Sequence, residues 1–154
     1  TRREMFAAGW QNEQGGWEVR NAYFKGCLGK KAMSFIPGNH ERIVLFEGMM
    51  DFLTWKKLSP LQDASVLILN SLSFLNPALQ RAANYKTIEL FFDHDPPGKK
   101  ATMQVLSELP QAVDQSTRYE GYNDFNEKLT AMINSAQVLG TKESSPHNIS
   151  LRNR

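Results

Sequence analysis

A chain of 154 residues with 41% hydrophobic and 22% charged residues has the length and balance of one globular domain, and it lacks the run of about 18 or more apolar residues that a membrane span requires. A formal net charge of +2 is too small to argue nucleic-acid binding by itself, and a single cysteine, Cys27, excludes an internal disulfide or a Cys-rich zinc site within the chain. That cysteine usage suits a reducing, cytoplasmic setting. No cleavable leader is recognisable, and an opening on Thr1 rather than methionine reads as an excised fragment.

The N-terminal stretch from Phe6 to about Pro37 carries glycines at 9, 15, 16, 26 and 29 with aromatics between them, a pattern of short strands in a hairpin and meander. Asn12 to Gly16 is its expected turn, and Trp10, Trp17, Tyr23 and Phe24 read as packing for this small sheet rather than as a base-stacking platform. Basic residues crowd here: Arg2, Arg3, Arg20, Lys25, Lys30 and Lys31 against Glu4, Glu13 and Glu18.

After Gly38 the rhythm changes. Ile43 to Phe46 is a short apolar run followed by a helical stretch from Met49 to Leu58, and Val66 to Leu69 is a second run followed by a helix opening at Asn76-Pro77 and reaching about Asn84. Ile88 to Phe92 is a third run with a helix from about Gly98 to Leu109; a weaker strand, Ser116 to Tyr119, precedes a last helix from Asp124 to Ser135. Strand and helix in alternation, with continuous apolar strands, predict an α/β fold: a Rossmann-like parallel sheet flanked by helices, preceded by a small β-rich lobe. The expected division is a lobe over 1–38, the α/β domain over 39–135 and a disordered polar tail over 136–154.

Ligands of such a sheet bind beyond the carboxyl ends of its strands, and the acids fall there. Glu47 follows the first apolar run, in FEGMMD, and Asp51 lies one helical turn further on. Asp93 and Asp95 follow the third, in FFDHDPPGKKAT, and Asp124, in YNDFNEKL, opens the last helix. Clustered carboxylates repel one another, and a hard divalent cation such as Mg²⁺, with its preference for oxygen ligands, is the simplest compensation. His94 reads as a packing or solvent-facing residue, because imidazole is a poor Mg²⁺ ligand. GKKAT lacks the upstream glycine of a P-loop, and a phosphatase built on Asp93 would leave Glu47-Gly48 and Asp51 unexplained.

The ensemble of FEGMMD, LNSLSFL after a strand, FFDHDPPGKKAT and YEGYNDFNEKL, in that order, resembles the Toprim domain, which is shared by bacterial replicative primases, topoisomerases, recombination mediators and some nucleases. It is most similar to the primase-like branch, and GGWEVRN with YFKG looks like the small lobe of stand-alone primase-like proteins of mobile elements, in which a zinc-binding module commonly lies further upstream. The resemblance covers about Gly9 to Leu129. It implies that Glu47 is a metal ligand or general acid/base, that Asp93 and Asp95 are a metal-binding pair carrying catalysis with it, and that Asp51 and Asp124 are auxiliary metal-binding acids.

The chain departs from the family at Pro96-Pro97, which stiffens the loop, and at Asn123, where relatives often carry lysine. The function so implied is Mg²⁺- or Mn²⁺-dependent nucleotidyl transfer on a single-stranded DNA template, with Lys99, Lys100, Arg42, Arg20 and Lys25 along the nucleic acid. The implied partners are nucleotides, single-stranded DNA and a helicase or other replication or mobilisation protein, with no membrane. A metal-dependent nuclease uses the same residues, and a non-catalytic docking module is the reading from another class.

Overall fold

A computed structural model describes residues 6–143 of the chain. Two sheets are present among them. The first is an antiparallel meander of β1 (Ala8–Gln11), β2 (Trp17–Arg20) and β3 (Lys25–Leu28). Its first turn is organised by Asn12, whose Oδ1 accepts hydrogen bonds from the N–H groups of Gln14 and Gly16 at 3.0 and 2.9 Å.

The second sheet has five strands, β4 (Ser34–Ile36), β5 (Arg42–Phe46), β6 (Ser65–Ile68), β7 (Thr87–Phe91) and β8 (Ala112–Asp114), in the order β4-β6-β5-β7-β8. The central strands, β5, β6 and β7, are the three apolar runs of the sequence, and they pair in parallel with β5 in the middle. Successive side chains point to opposite faces. Ile43, Leu45, Leu67 and Leu90 therefore join the core under α2 (Leu75–Ala82) and α3 (Pro96–Glu108), while Val44, Phe46, Ile68 and Phe91 join the core with Trp55 of α1 (Met49–Leu58) and Phe125 of α4 (Phe125–Glu143). The second core is aromatic, with the Phe46 and Phe91 rings stacked at 5.0 Å and Phe91 stacked on Phe125 at 5.5 Å. No helix among the described residues is long and apolar enough to cross a membrane.

Four local expectations are corrected. β4 (Ser34–Ile36) pairs antiparallel with β6, so a segment assigned to the N-terminal lobe by the division at 38 belongs to the edge of the main sheet. The eighth strand, β8, is Ala112–Asp114; Ser116–Tyr119 is a 3-10 turn, because the Asp114 carboxylate accepts from both the N–H and the hydroxyl of Ser116 and ends the strand. α2 begins at Leu75, running on from a 3-10 turn over Leu72–Phe74, so Pro77 sits inside the first helical turn where it has no N–H to lose.

The last helix continues to Glu143, so part of the expected tail is helical, with the Ser135 hydroxyl bonding back to the Ala131 carbonyl instead of ending the helix. The rest of the expected tail lies outside the described residues.

Candidate active site

β5 and β7 are neighbours in register, Phe46 opposite Phe91, so the residues just past their carboxyl ends meet: Glu47 beyond one strand and Asp93 beyond the other. Each presents a buried carboxylate oxygen, Glu47 Oε2 and Asp93 Oδ1, that has no hydrogen-bond partner among the described residues. An orphaned oxygen of this kind is costly unless it takes a proton or a cation. Burial raises the pKa of Glu47, helped by the charges of Asp95 and Asp124 and opposed by the Asp93 backbone N–H and by Lys25. Asp93 is pushed up to about 8, first by burial and then by the charges of Glu47, Asp51, Asp124 and Asp95.

The other three acids each have one oxygen committed to backbone. Asp95 is the N-cap of α3, accepting from the Gly98 N–H at 2.8 Å, with proline at the first helical position. Gly98 is required there, since a Cβ on it would lie 2.2 Å from the Asp93 carbonyl oxygen. Asp124 precedes α4 and accepts from the Glu127 N–H at 2.7 Å, the same capping bond at another helix. Asp51, only 6% exposed, reaches across from α1 to accept from the Asn126 N–H at 3.0 Å. Burial and the charge of Asp124 lift it to about 7, with Glu47 adding to the rise and the Asn126 N–H and Arg20 working against it.

The five carboxylates thus share one electrostatic field but not one coordination shell: among the described residues no group of three or more Asp, Glu, His or Cys is gathered closely enough to hold a metal ion. Among the described residues, the buried carboxylate oxygens left without a hydrogen-bond partner belong to Glu47 and Asp93. That donor set fits Mg²⁺ or Mn²⁺, since Mg²⁺ commonly takes only one or two carboxylates and completes its octahedron with water and substrate phosphate.

Positive charge reaches this cleft from the three-stranded sheet. Arg20 and Lys25 are opposed across β2 and β3, and the field of Lys25 falls on Glu47 while that of Arg20 falls on Asp51. Lys31 lines the same cleft with Lys25, Glu47, Asn70 and Ser71. Lys99 and Lys100 are exposed in the first turns of α3. Arg42 is placed elsewhere: it opens β5, at the end of the sheet away from Glu47, and its guanidinium lies 2.6 Å from Glu89 Oε1. Its charge is committed to that carboxylate.

His94 packs, its ring 5.0 Å from that of Tyr119 and its Nδ1 2.6 Å from the Tyr122 carbonyl, which hangs the loop carrying Asp124 from the end of β7.

Residues 44–129, more than half of the chain, match the model of the Toprim-like family. The chain belongs to that family. Residues 1–29 match a domain of unknown function, DUF8464. Two solved structures share the Toprim-like fold. The crystal structure of the primase fragment of the bacteriophage T7 primase-helicase protein is 20% identical, with 90% of this chain and 61% of that one covered and a TM-score of 0.59.

A structure of the bacteriophage T7 lagging-strand DNA polymerase interacting with primase domains of two gp4 subunits bound to an RNA/DNA hybrid and dTTP contains a chain that is 19% identical, with 89% of this chain and 74% of that one covered and a TM-score of 0.56. No curated protein matches in sequence. The Toprim-like chain spans about three fifths of the T7 primase fragment, and at this identity the likeness is one of fold.

Lys31 in the cleft, Asn126 at the Asp51 carboxylate and Tyr119 with its hydroxyl on the Phe92 carbonyl at 2.8 Å carried no individual signal in the sequence, whereas Asn70 behind β6 did. A polar residue directly after an apolar strand, as in ILNS, is the pattern that points to Asn70.

Proposed function

We propose that this chain is the Toprim domain of a DNA primase-like protein, of the kind carried by mobile elements, acting in metal-dependent nucleotidyl transfer on a single-stranded DNA template. The observation that carries this reading is the pair of partnerless buried oxygens on Glu47 and Asp93, at adjacent strand ends and opposite a cationic sheet. Glu47 and Asp93 would hold Mg²⁺ or Mn²⁺, which when bound polarises phosphate and lowers the pKa of a coordinated hydroxyl.

The chain's own residues do the rest. Glu47 serves as a metal ligand or, where its Oε2 stays outside the ion's shell, keeps or releases a proton there as a general acid or base, its pKa raised by burial. Asp51 ties α1 to the start of α4 and adds negative potential behind the pair. Lys25, Lys31 and Arg20 receive the phosphates of a nucleotide, and exposed Lys99 and Lys100 are placed to follow a nucleic-acid backbone. The partners that follow are nucleotides, single-stranded DNA and, through the likeness to part of a primase-helicase, a helicase.

A second reading, a non-catalytic docking module, draws on the lack of a three-carboxylate cluster among the described residues. Cleavage of a phosphodiester would use the same pair as transfer does. One experiment separates the three: a labelled single-stranded oligonucleotide incubated with the chain, nucleotides and Mn²⁺ lengthens under nucleotidyl transfer, shortens under cleavage and stays unchanged under docking. Glu47→Gln should abolish either product, and full activity of that variant would refute the assignment of Glu47.

A further inference from the structure

Asn70 has a left-handed backbone, φ 60°, the one non-glycine residue among those described with positive φ. Asparagine tolerates that conformation better than most residues, and here its side chain makes use of it. Asn70 lies two residues past the end of β6 and is 4% exposed. Its Nδ2 donates to the Ala32 carbonyl at 2.9 Å and to the Ser34 hydroxyl at 3.0 Å, and its Oδ1 accepts from the Trp10 indole Nε1 at 3.4 Å. Trp10 belongs to β1, Ser34 begins β4, and Ala32 lies in the connection between the two sheets.

One buried amide therefore joins the three-stranded sheet, the connection and the central sheet. Among the described residues, the other side-chain hydrogen bond running from that small sheet or its turns to an element after β4 is the surface pair Arg81–Glu13, whose side chains are 36% and 31% exposed. A pair so open to water holds a position weakly.

Asn70 also lines the cleft itself, beside Lys25, Lys31 and Glu47, and a neighbouring recess where it meets Trp10, Arg20 and Gly48. The cations of the small sheet act on the acids only if that sheet keeps its place, because unit charges in water-filled space lose most of their interaction over a Debye length of about 8 Å. We propose that Asn70 is a positioning residue: it pins the three-stranded sheet so that Lys25 and Arg20 stand opposite Glu47 and Asp51, which sets how well the cleft takes a nucleotide triphosphate. The nucleotide part of this role rests on the nucleotidyl-transfer reading; the pin itself does not.

Asn70→Gly keeps the left-handed backbone at no strain and removes all three side-chain bonds. Trp10→Phe removes the bond from the opposite side while keeping the ring, and serves if the glycine variant does not fold. In a Cys27→Ser background, nitroxides at Tyr23→Cys in the turn between β2 and β3 and Gln80→Cys on α2 report the separation of the two bodies by electron–electron resonance. The parent should give one narrow distance distribution, Asn70→Gly a broad one and Trp10→Phe an intermediate one; an unchanged distribution in both variants overturns the pin.

In parallel, Mn²⁺ is titrated calorimetrically, and a methylanthraniloyl-labelled ATP is titrated with Mn²⁺ present. Asn70→Gly should leave Mn²⁺ affinity as in the parent and weaken the labelled nucleotide about tenfold, the equivalent of roughly one or two hydrogen bonds. A broadened distance with unchanged nucleotide affinity overturns the positioning role. If the parent binds Mn²⁺ but no nucleotide, the nucleotidyl-transfer reading fails and takes that role with it, while the distance measurement still decides the pin.

Discussion

Replacing Asp93 by Asn removes one charge from the cleft without changing its shape, and its effect should reverse between the metal-free and metal-loaded protein. The Asp93 carboxyl moves from 3.8 to about 8 on folding, through burial first and the neighbouring acids second. Because the folded pKa is the higher one, the unfolded chain loses its proton first, so this group costs stability increasingly as pH rises from about 4 and fully above about 8.

A rise of roughly four units has a ceiling of ~5 kcal/mol at 1.36 kcal/mol per unit. Water in the open cleft reduces that to about 2 kcal/mol, or about 4–8 °C in Tm for a chain of this size. Asp93→Asn should therefore melt higher than wild type at pH 8.5 without metal, and the gap should shrink toward pH 4. Millimolar Mn²⁺ should raise the melting temperature of wild type and leave the variant unmoved. Thermal melts at three pH values, with and without Mn²⁺, test both halves. A variant less stable than wild type at pH 8.5 would mean that the Asp93 charge does not destabilise the metal-free fold, and equal stabilisation of both by Mn²⁺ would mean that Asp93 is not a metal ligand.

Asp95→Ala should lower stability by about 1 kcal/mol through loss of the α3 cap, whereas Asp95→Asn should melt as wild type does because asparagine caps as well. Calorimetry should find Mn²⁺ affinity nearly unchanged in Asp95→Asn. Arg42→Met should cost about 2–3 kcal/mol in chemical denaturation by leaving the buried Glu89 carboxylate unpaired, with no change in single-stranded DNA affinity. The double variant Lys99→Ala/Lys100→Ala should flatten the dependence of log affinity on log salt by about 1.4 for single-stranded DNA, as expected if each lysine neutralises one phosphate. Fluorescence anisotropy across a salt series reads that slope.

Much of this molecule is legible in its residues alone. The apolar runs at 43–46, 66–69 and 88–92 are long enough to be strands and too continuous to have a wet face, so they specify a buried parallel sheet, and the acids that follow two of them mark its functional edge. These are local properties, periodicity and position relative to a strand end, and they survive folding unchanged.

Other features depend on partners distant in the chain. Asp95 and Asp124 each spend one oxygen on a helix N–H, which residue type alone does not show; the α3 and α4 caps become visible only when the helix starts are placed. Arg42 reads as available because its partner, Glu89, lies 47 residues away on a neighbouring strand. β4 carries too short an apolar run to announce an edge strand, and it is one because β6 offers it an open side.

Pattern along the chain specifies the fold and the two strand ends at which the acids lie. Folding decides which carboxylates hold a buried oxygen without a partner, which cations face them, and that a buried asparagine bridges the sheet bearing those cations and the sheet bearing the acids. The reason is physical: backbone pattern is set by neighbours along the chain, whereas the partner of a hydrogen-bonding or charged atom is set by what folding brings beside it.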